Sequence, residues 1–182
     1  MLHQLLLLTL LSVSQEFTLD ATAYHDVELP LPADSVHSLI RRISTLETMM
    51  PGVVDITAQS GGWFLYRTER EIPFSGKMQT DFRIVNISGE DGSVTYRTPG
   101  TEAENWMSFR LAPAATGNGT TRLLLRLRVR LVRNHGTDIH LLAPLLGEGF
   151  LSKSMEDDLS AMLQIFAERL VQRHTSVHTA RN

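Results

Sequence analysis

MEDDLSAMLQIFAERL, residues 155–170, spaces Met155, Leu159, Met162, Phe166 and Leu170 at steps of three and four, which lines them along one helix face. Leu163 and Ala167 widen that face into a stripe, and Asp157, Asp158, Gln164, Glu168 and Arg169 take the remaining surface. The periodicity predicts a long helix from about Ile139 to Gln172. An apolar stripe of this length has to be buried against another element. What lies upstream is strand-like, so one curved sheet closing on one helix is the expected architecture.

Directly upstream, residues 120–133 alternate: Leu123, Leu125, Leu127, Val129 and Leu131 on one side, Arg122, Leu124, Arg126, Arg128 and Arg130 on the other. A sustained period of two is a strand with one buried face. Between strand and helix, Pro144 suits a first helical turn, and Gly147 and Gly149 predict a bend or break. Further strands are expected at 104–111, 93–98, 76–87, 63–72 and 53–58, punctuated by Gly117-Asn118-Gly119, Pro99-Gly100, Gly89-Glu90-Asp91-Gly92 and Ser60-Gly61-Gly62. The first strand, 17–29, buries Phe17, Leu19, Ala21 and Ala23 and stops at Pro30-Leu31-Pro32. Two short helices follow. Asp34 or Ser35 is expected to cap the first, and Ser44 with Glu47 to form a capping box for the second. The sum is seven strands, with connections short enough for antiparallel neighbours.

A chain of 182 residues suits one domain with a sizeable core, and 42% apolar residues against 20% charged exclude a disordered chain. A net charge of −3 gives no bulk electrostatic attraction to nucleic acid. The lack of cysteine removes disulfides, thiol nucleophiles and thiolate metal sites. Residues 1–15 are set apart: Leu5 to Leu11 is apolar except for Thr9, and Ser12-Val13-Ser14 could precede a cleavage site. They read as a secretory signal peptide or as a leader extension; no Lys or Arg precedes the apolar run, and it is too short to span a bilayer. A cytoplasmic location is expected, and a secreted or periplasmic one if the segment is an export signal. Residues 16–174 are expected to form the domain and 175–182 a flexible tail.

Strand, two short helices, six antiparallel strands and a long closing helix is the element order of the helix-grip fold, and here the chain resembles the START-like, or SRPBCC, superfamily. Pro30-Leu31-Pro32-Ala33-Asp34 ahead of the first helix is similar to a PADxV lead-in common there, and Met49-Met50-Pro51-Gly52-Val53 leads into the second strand. The resemblance covers about Phe17 to Arg173 and contains no catalytic signature. It implies an α+β protein with a seven-stranded antiparallel sheet around the C-terminal helix, and a cavity between them that binds an apolar ligand. Lipid-transfer domains, polyketide cyclases and birch-pollen-allergen-like proteins share this fold.

Trp63, Tyr66, Phe82, Trp106, Met107, Phe150 and Met155 are the large side chains expected to wall such a cavity, with His140 and Glu148 near its mouth. Each is alternatively a core residue, and the cavity follows from the fold resemblance rather than from any of them. Gly147-Glu148-Gly149 lacks the glycine spacing of a phosphate loop; its small residues leave room beside the sheet or pack the helix tightly against it. His135, Asp138 and His140 read as loop residues rather than a metal site, and His25 as a sheet histidine. The arginines of the last strand read as a solvated face paired across strands with Glu69, Glu71 and Asp81. The expected function is binding or transport of a lipid or other hydrophobic small molecule, without a catalytic residue, metal or cofactor assigned. Transient membrane contact is compatible with it. The alternatives are a cyclase- or dehydrase-like enzyme using a pocket His, Asp or Tyr, and a filled-core protein-interaction module.

Overall fold

The computed structural model describes residues 16–72, 76–117 and 119–179; the leader assigned to 1–15 and the last residues of the expected tail lie outside them. The chain runs β1 (Phe17–Leu29), α1 (Ala33–Ile40), α2 (Ile43–Met49), β2 (Val53–Gln59), β3 (Trp63–Ile72), β4 (Gly76–Ser88), β5 (Val94–Arg97), β6 (Asn105–Gly117), β7 (Thr120–Arg133), a short 3-10 turn (Gly136–Asp138) and α3 (Ala143–Thr179). The strands form one seven-stranded antiparallel sheet in the order β1-β7-β6-β5-β4-β3-β2. The first strand therefore lies beside the last, with Phe17 opposite Arg133. The expected α+β helix-grip architecture is what the molecule has.

The core is the meeting of the two patterns read in the sequence. Leu123, Leu125, Leu127, Val129 and Leu131 are buried on β7, and Met155, Leu159, Leu163, Phe166 and Leu170 are buried on α3. Phe109 on β6 meets Phe166 edge-on, with ring centroids 5.5 Å apart. Burying such stripes contributes roughly 25 cal/mol per Å² of apolar surface removed from water. Tight contact is demanded at one turn: a Cβ on Gly136 would stand 2.8 Å from the Phe17 ring and 3.1 Å from the Ala143 Cβ.

Several local expectations are corrected. Neither short helix has a side-chain cap; Pro32 and Arg42 occupy the N-cap positions, Asp34 lies in the first turn of α1, and Ser44 lies inside α2. β6 continues past Leu111 to Gly117, through Pro113. The reason is that β5 ends its pairing at Val94 opposite Leu111, so beyond that point β6 has only β7 as neighbour and a residue without an N–H costs no ladder bond on the other side. The closing helix begins at Ala143 rather than Ile139 and continues through Thr179. It is broken at Gly147, whose φ of 78° and ψ of 161° no helical residue adopts.

The arginine face is solvated, but its partners differ from those expected. β7 lies between β1 and β6, so Arg128 pairs with Asp20 at 2.7 Å and Arg122 with Asp26 at 2.9 Å. Asp81 and Glu69 serve the other half of the sheet, pairing with Arg67 at 2.9 Å and Lys77 at 2.7 Å.

Candidate functional site

Strand parity decides which side chains can face α3. On β3, Tyr66, Thr68 and Arg70 share one face, and on β4 they stand opposite Phe82, Thr80 and Met78 respectively. With Met107 of β6 and Leu127, Val129 and Leu131 of β7, these residues wall an internal cavity of about 40 Å³ beneath Met155, Leu159 and Met162 of α3. That volume holds on the order of three waters. Four of the wall residues are methionines, Met78, Met107, Met155 and Met162, whose unbranched, polarisable chains can reshape a wall at low cost.

Outward from this cavity lies an open vestibule of about 430 Å³. Leu19 of β1, Ile139 and His140 before the helix, and Leu142, Leu146 and Phe150 around the Gly147 break form its apolar sides. Arg70, Met78, Leu131 and Met155 line both spaces and so form the boundary between them, referred to below as the neck. Arg70 forms an ion pair with Asp158 across the neck, tying β3 to α3. The Gly147 break interrupts the helix beside the outer space, whose wall has Leu142 and Leu146 before the break and Phe150 after it.

The polar groups of the cavity and its neck are few. Burial alone pushes the Tyr66 phenol far above its ordinary range, so it remains a neutral hydrogen-bond donor. Thr68 donates to the Thr80 carbonyl at 3.3 Å. No carboxylate or histidine lines the inner cavity among the described residues. At the vestibule His140 is 8% exposed, and its Nδ1 accepts the Leu142 amide at 2.9 Å, which fixes the ring against the start of α3. This arrangement can hold and orient an apolar molecule by one cation and one phenol. An apolar wall with few convergent polar groups is the usual composition of a small-molecule site.

Of the nine residues singled out in the sequence, Tyr66, Phe82, Met107 and Met155 line the inner cavity, and His140, Phe150 and Met155 the vestibule. Glu148 is engaged elsewhere, accepting the Thr18 amide at the edge of β1 at 2.7 Å. Trp63 and Trp106 stand on the outer face of the sheet, stacked under Arg83 and Arg128 at 4.9 and 5.6 Å. The alternation of a strand already separates Trp63 from Tyr66 and Trp106 from Met107. The same parity places Arg70 with Tyr66, which is the signal that could have found it. His135 and Asp138 cap the 3-10 turn reciprocally, and no group of three metal-ligating side chains is found among the described residues.

Comparison with solved structures finds the same architecture. A START superfamily protein from Mycobacterium smegmatis superposes with a TM-score of 0.56 at 14% identity, covering 83% of this chain and 97% of that one. This chain has the START-like helix-grip fold. A protein from Thermus thermophilus matches at 17% identity with a TM-score of 0.56, over 84% of this chain and 98% of its own. The di-domain ARO/CYC StfQ of the steffimycin biosynthetic pathway matches at 14% identity and a TM-score of 0.55, over 87% of this chain and 52% of that one. At these identities the START-like likeness is one of fold. No protein-family model and no curated protein sequence matches the chain.

Proposed function

We propose that the protein binds a lipid or another hydrophobic small molecule in the space between the sheet and α3. The observation that carries this reading is the open, largely apolar vestibule of about 430 Å³ beside the Gly147 break, which adjoins the internal cavity at Arg70, Met78, Leu131 and Met155. Its size is that of a site for one small ligand. The START-like fold supports the reading, since proteins of that superfamily typically hold hydrophobic ligands in this position. Binding would be driven by removal of ligand and wall from water, roughly 25 cal/mol per Å² before ordering costs are subtracted. The ligand's apolar body lies in the vestibule, and its leading end reaches the neck, where Arg70 and Tyr66 are the polar contacts.

Native mass spectrometry of the protein purified from cells, followed by organic extraction, tests this. The expected result is a reproducible apolar adduct that is lost in Met155→Arg, which places a charge in the neck. A bare polypeptide mass, together with no binding of a hydrophobic fluorescent dye, overturns the proposal.

A further inference from the structure

The outer face of the sheet carries a second concavity, of about 470 Å³, over β1, β7 and β6. Strand alternation and register build it row by row. Tyr24, Arg126 and Arg110 stand side by side across the three strands, and Asp26, Leu124 and Ala112 form the next row. Long side chains in the first row and shorter ones in the second leave a hollow, floored by Leu124 and Ala112. Leu124 is 44% exposed, an apolar side chain in a file of arginines. Nothing in the core or the vestibule explains it.

Charge singles the hollow out. Arg126 and Arg110 are directly opposite each other, an arrangement of like charges that destabilises a sheet. Along β7 the neighbouring arginines are neutralised, Arg128 by Asp20 and Arg122 by Asp26, and Asp26 is thereby engaged. Arg110 pairs with Asp91 at 2.7 Å. Arg126 has no carboxylate partner among the described residues, and its guanidinium lies over the exposed Tyr24 ring, 5.5 Å from the centroid. Two facing guanidinium groups, one of them without a counter-charge, are complementary to an oxyanion. Guanidinium binds carboxylate and phosphate through paired N–H donors. The floor and the Tyr24 ring are complementary to an apolar or aromatic body.

We propose that this hollow binds a small organic anion, its carboxylate or phosphate between Arg126 and Arg110 and its apolar body on Leu124, Ala112 and the Tyr24 ring. The volume is that of a small-molecule site. An oxyanion there removes the repulsion between the two arginines and supplies the counter-charge that Arg126 lacks. The site is on the opposite face of the sheet from the vestibule and does not depend on the vestibule holding a ligand. Both arginines are exposed, so added salt screens the attraction and weakens binding.

The test titrates the full chain with naphthyl phosphate and, separately, with naphthoate, following the backbone amides by heteronuclear NMR at low salt. Saturable shifts are expected at residues 24–26, 110–112 and 124–126. Arg126→Gln changes an exposed side chain and leaves the core intact; it is expected to weaken binding by about tenfold or more. Arg67→Gln removes a cation from the other half of the sheet and is expected to leave binding unchanged. Naphthamide, which keeps the rings and lacks the charge, is expected to bind more weakly by a similar factor. Either anion meeting these criteria supports the proposal, and the tighter of the two identifies the head group. Shifts confined to the vestibule, no saturable shift, or equal losses in Arg67→Gln and Arg126→Gln overturn it. So does inorganic phosphate binding as tightly as naphthyl phosphate, which would reduce the hollow to a patch of charge.

Discussion

Single side chains secure the joints of this fold, and two of them give direct tests. The Tyr96 hydroxyl, fully buried on β5, donates to the Ile40 carbonyl at 2.8 Å and so satisfies the last residue of α1. Tyr96→Phe leaves that carbonyl buried without its donor and is expected to lower the unfolding free energy by about 1–3 kcal/mol, read from urea denaturation. Asp91 accepts the Ser93 hydroxyl at 2.6 Å and the Ser93 amide at 3.0 Å, and faces Arg110; these contacts hold its carboxyl below the usual carboxylate range. A folded-state pKa below the unfolded one means the contribution is full above the ordinary value of about 3.9 and is lost as pH falls through the lowered value. The stability gap between the protein and Asp91→Ala is therefore expected to be widest at neutral pH and to close on acidification, in denaturation curves taken across the acid limb. At this scale the sequence revealed residue types and parity but not partners. Arg128 was legible as an outward-facing cation on β7; that Asp20 meets it followed only once β1 was known to be its neighbour.

At the scale of elements, hydrophobic periodicity was a sound guide to what forms and a poorer one to where it ends. The stripe from Met155 to Leu170 and the alternation of β7 are physical demands for one buried face, and both were met. Ends depend on neighbours: β6 outlasts its expected limit because β5 is short, and α1 and α2 start without the caps their sequences offered. The break in α3 was readable from glycine, and it separates the two glycines by role. Gly147 has a backbone conformation open only to glycine, with nothing within 4 Å of an added Cβ, so Gly147→Ala is expected to cost about 1–3 kcal/mol through the backbone alone. Gly149 lies inside the helix, also with open space at its Cβ, and Gly149→Ala is expected to stabilise by up to about 1 kcal/mol. Thermal or urea unfolding of the pair distinguishes the two, and equal effects would contradict the assigned roles.

For the whole molecule, the sheet order dominates. β1 and β7 are adjacent in space although they stand at opposite ends of the strand sequence, so closing the sheet requires a contact of high sequence separation. Refolding is therefore expected in milliseconds to seconds rather than microseconds, as stopped-flow tryptophan fluorescence would measure. The sequence by itself determined the seven strands, the two short helices, the closing helix and the buried side of β1, β7 and α3, because periodicity is a local property enforced by the cost of exposing apolar surface. It also placed Tyr66, Phe82, Met107 and Met155 among the large apolar side chains from which a cavity could be built. Only the tertiary structure decided that these four wall one cavity with Arg70, while Trp63 and Trp106 turn outward. It alone left the vestibule open beside the Gly147 break, since the space between two packed surfaces depends on register, twist and the angle of a helix, none of which is written in any one segment.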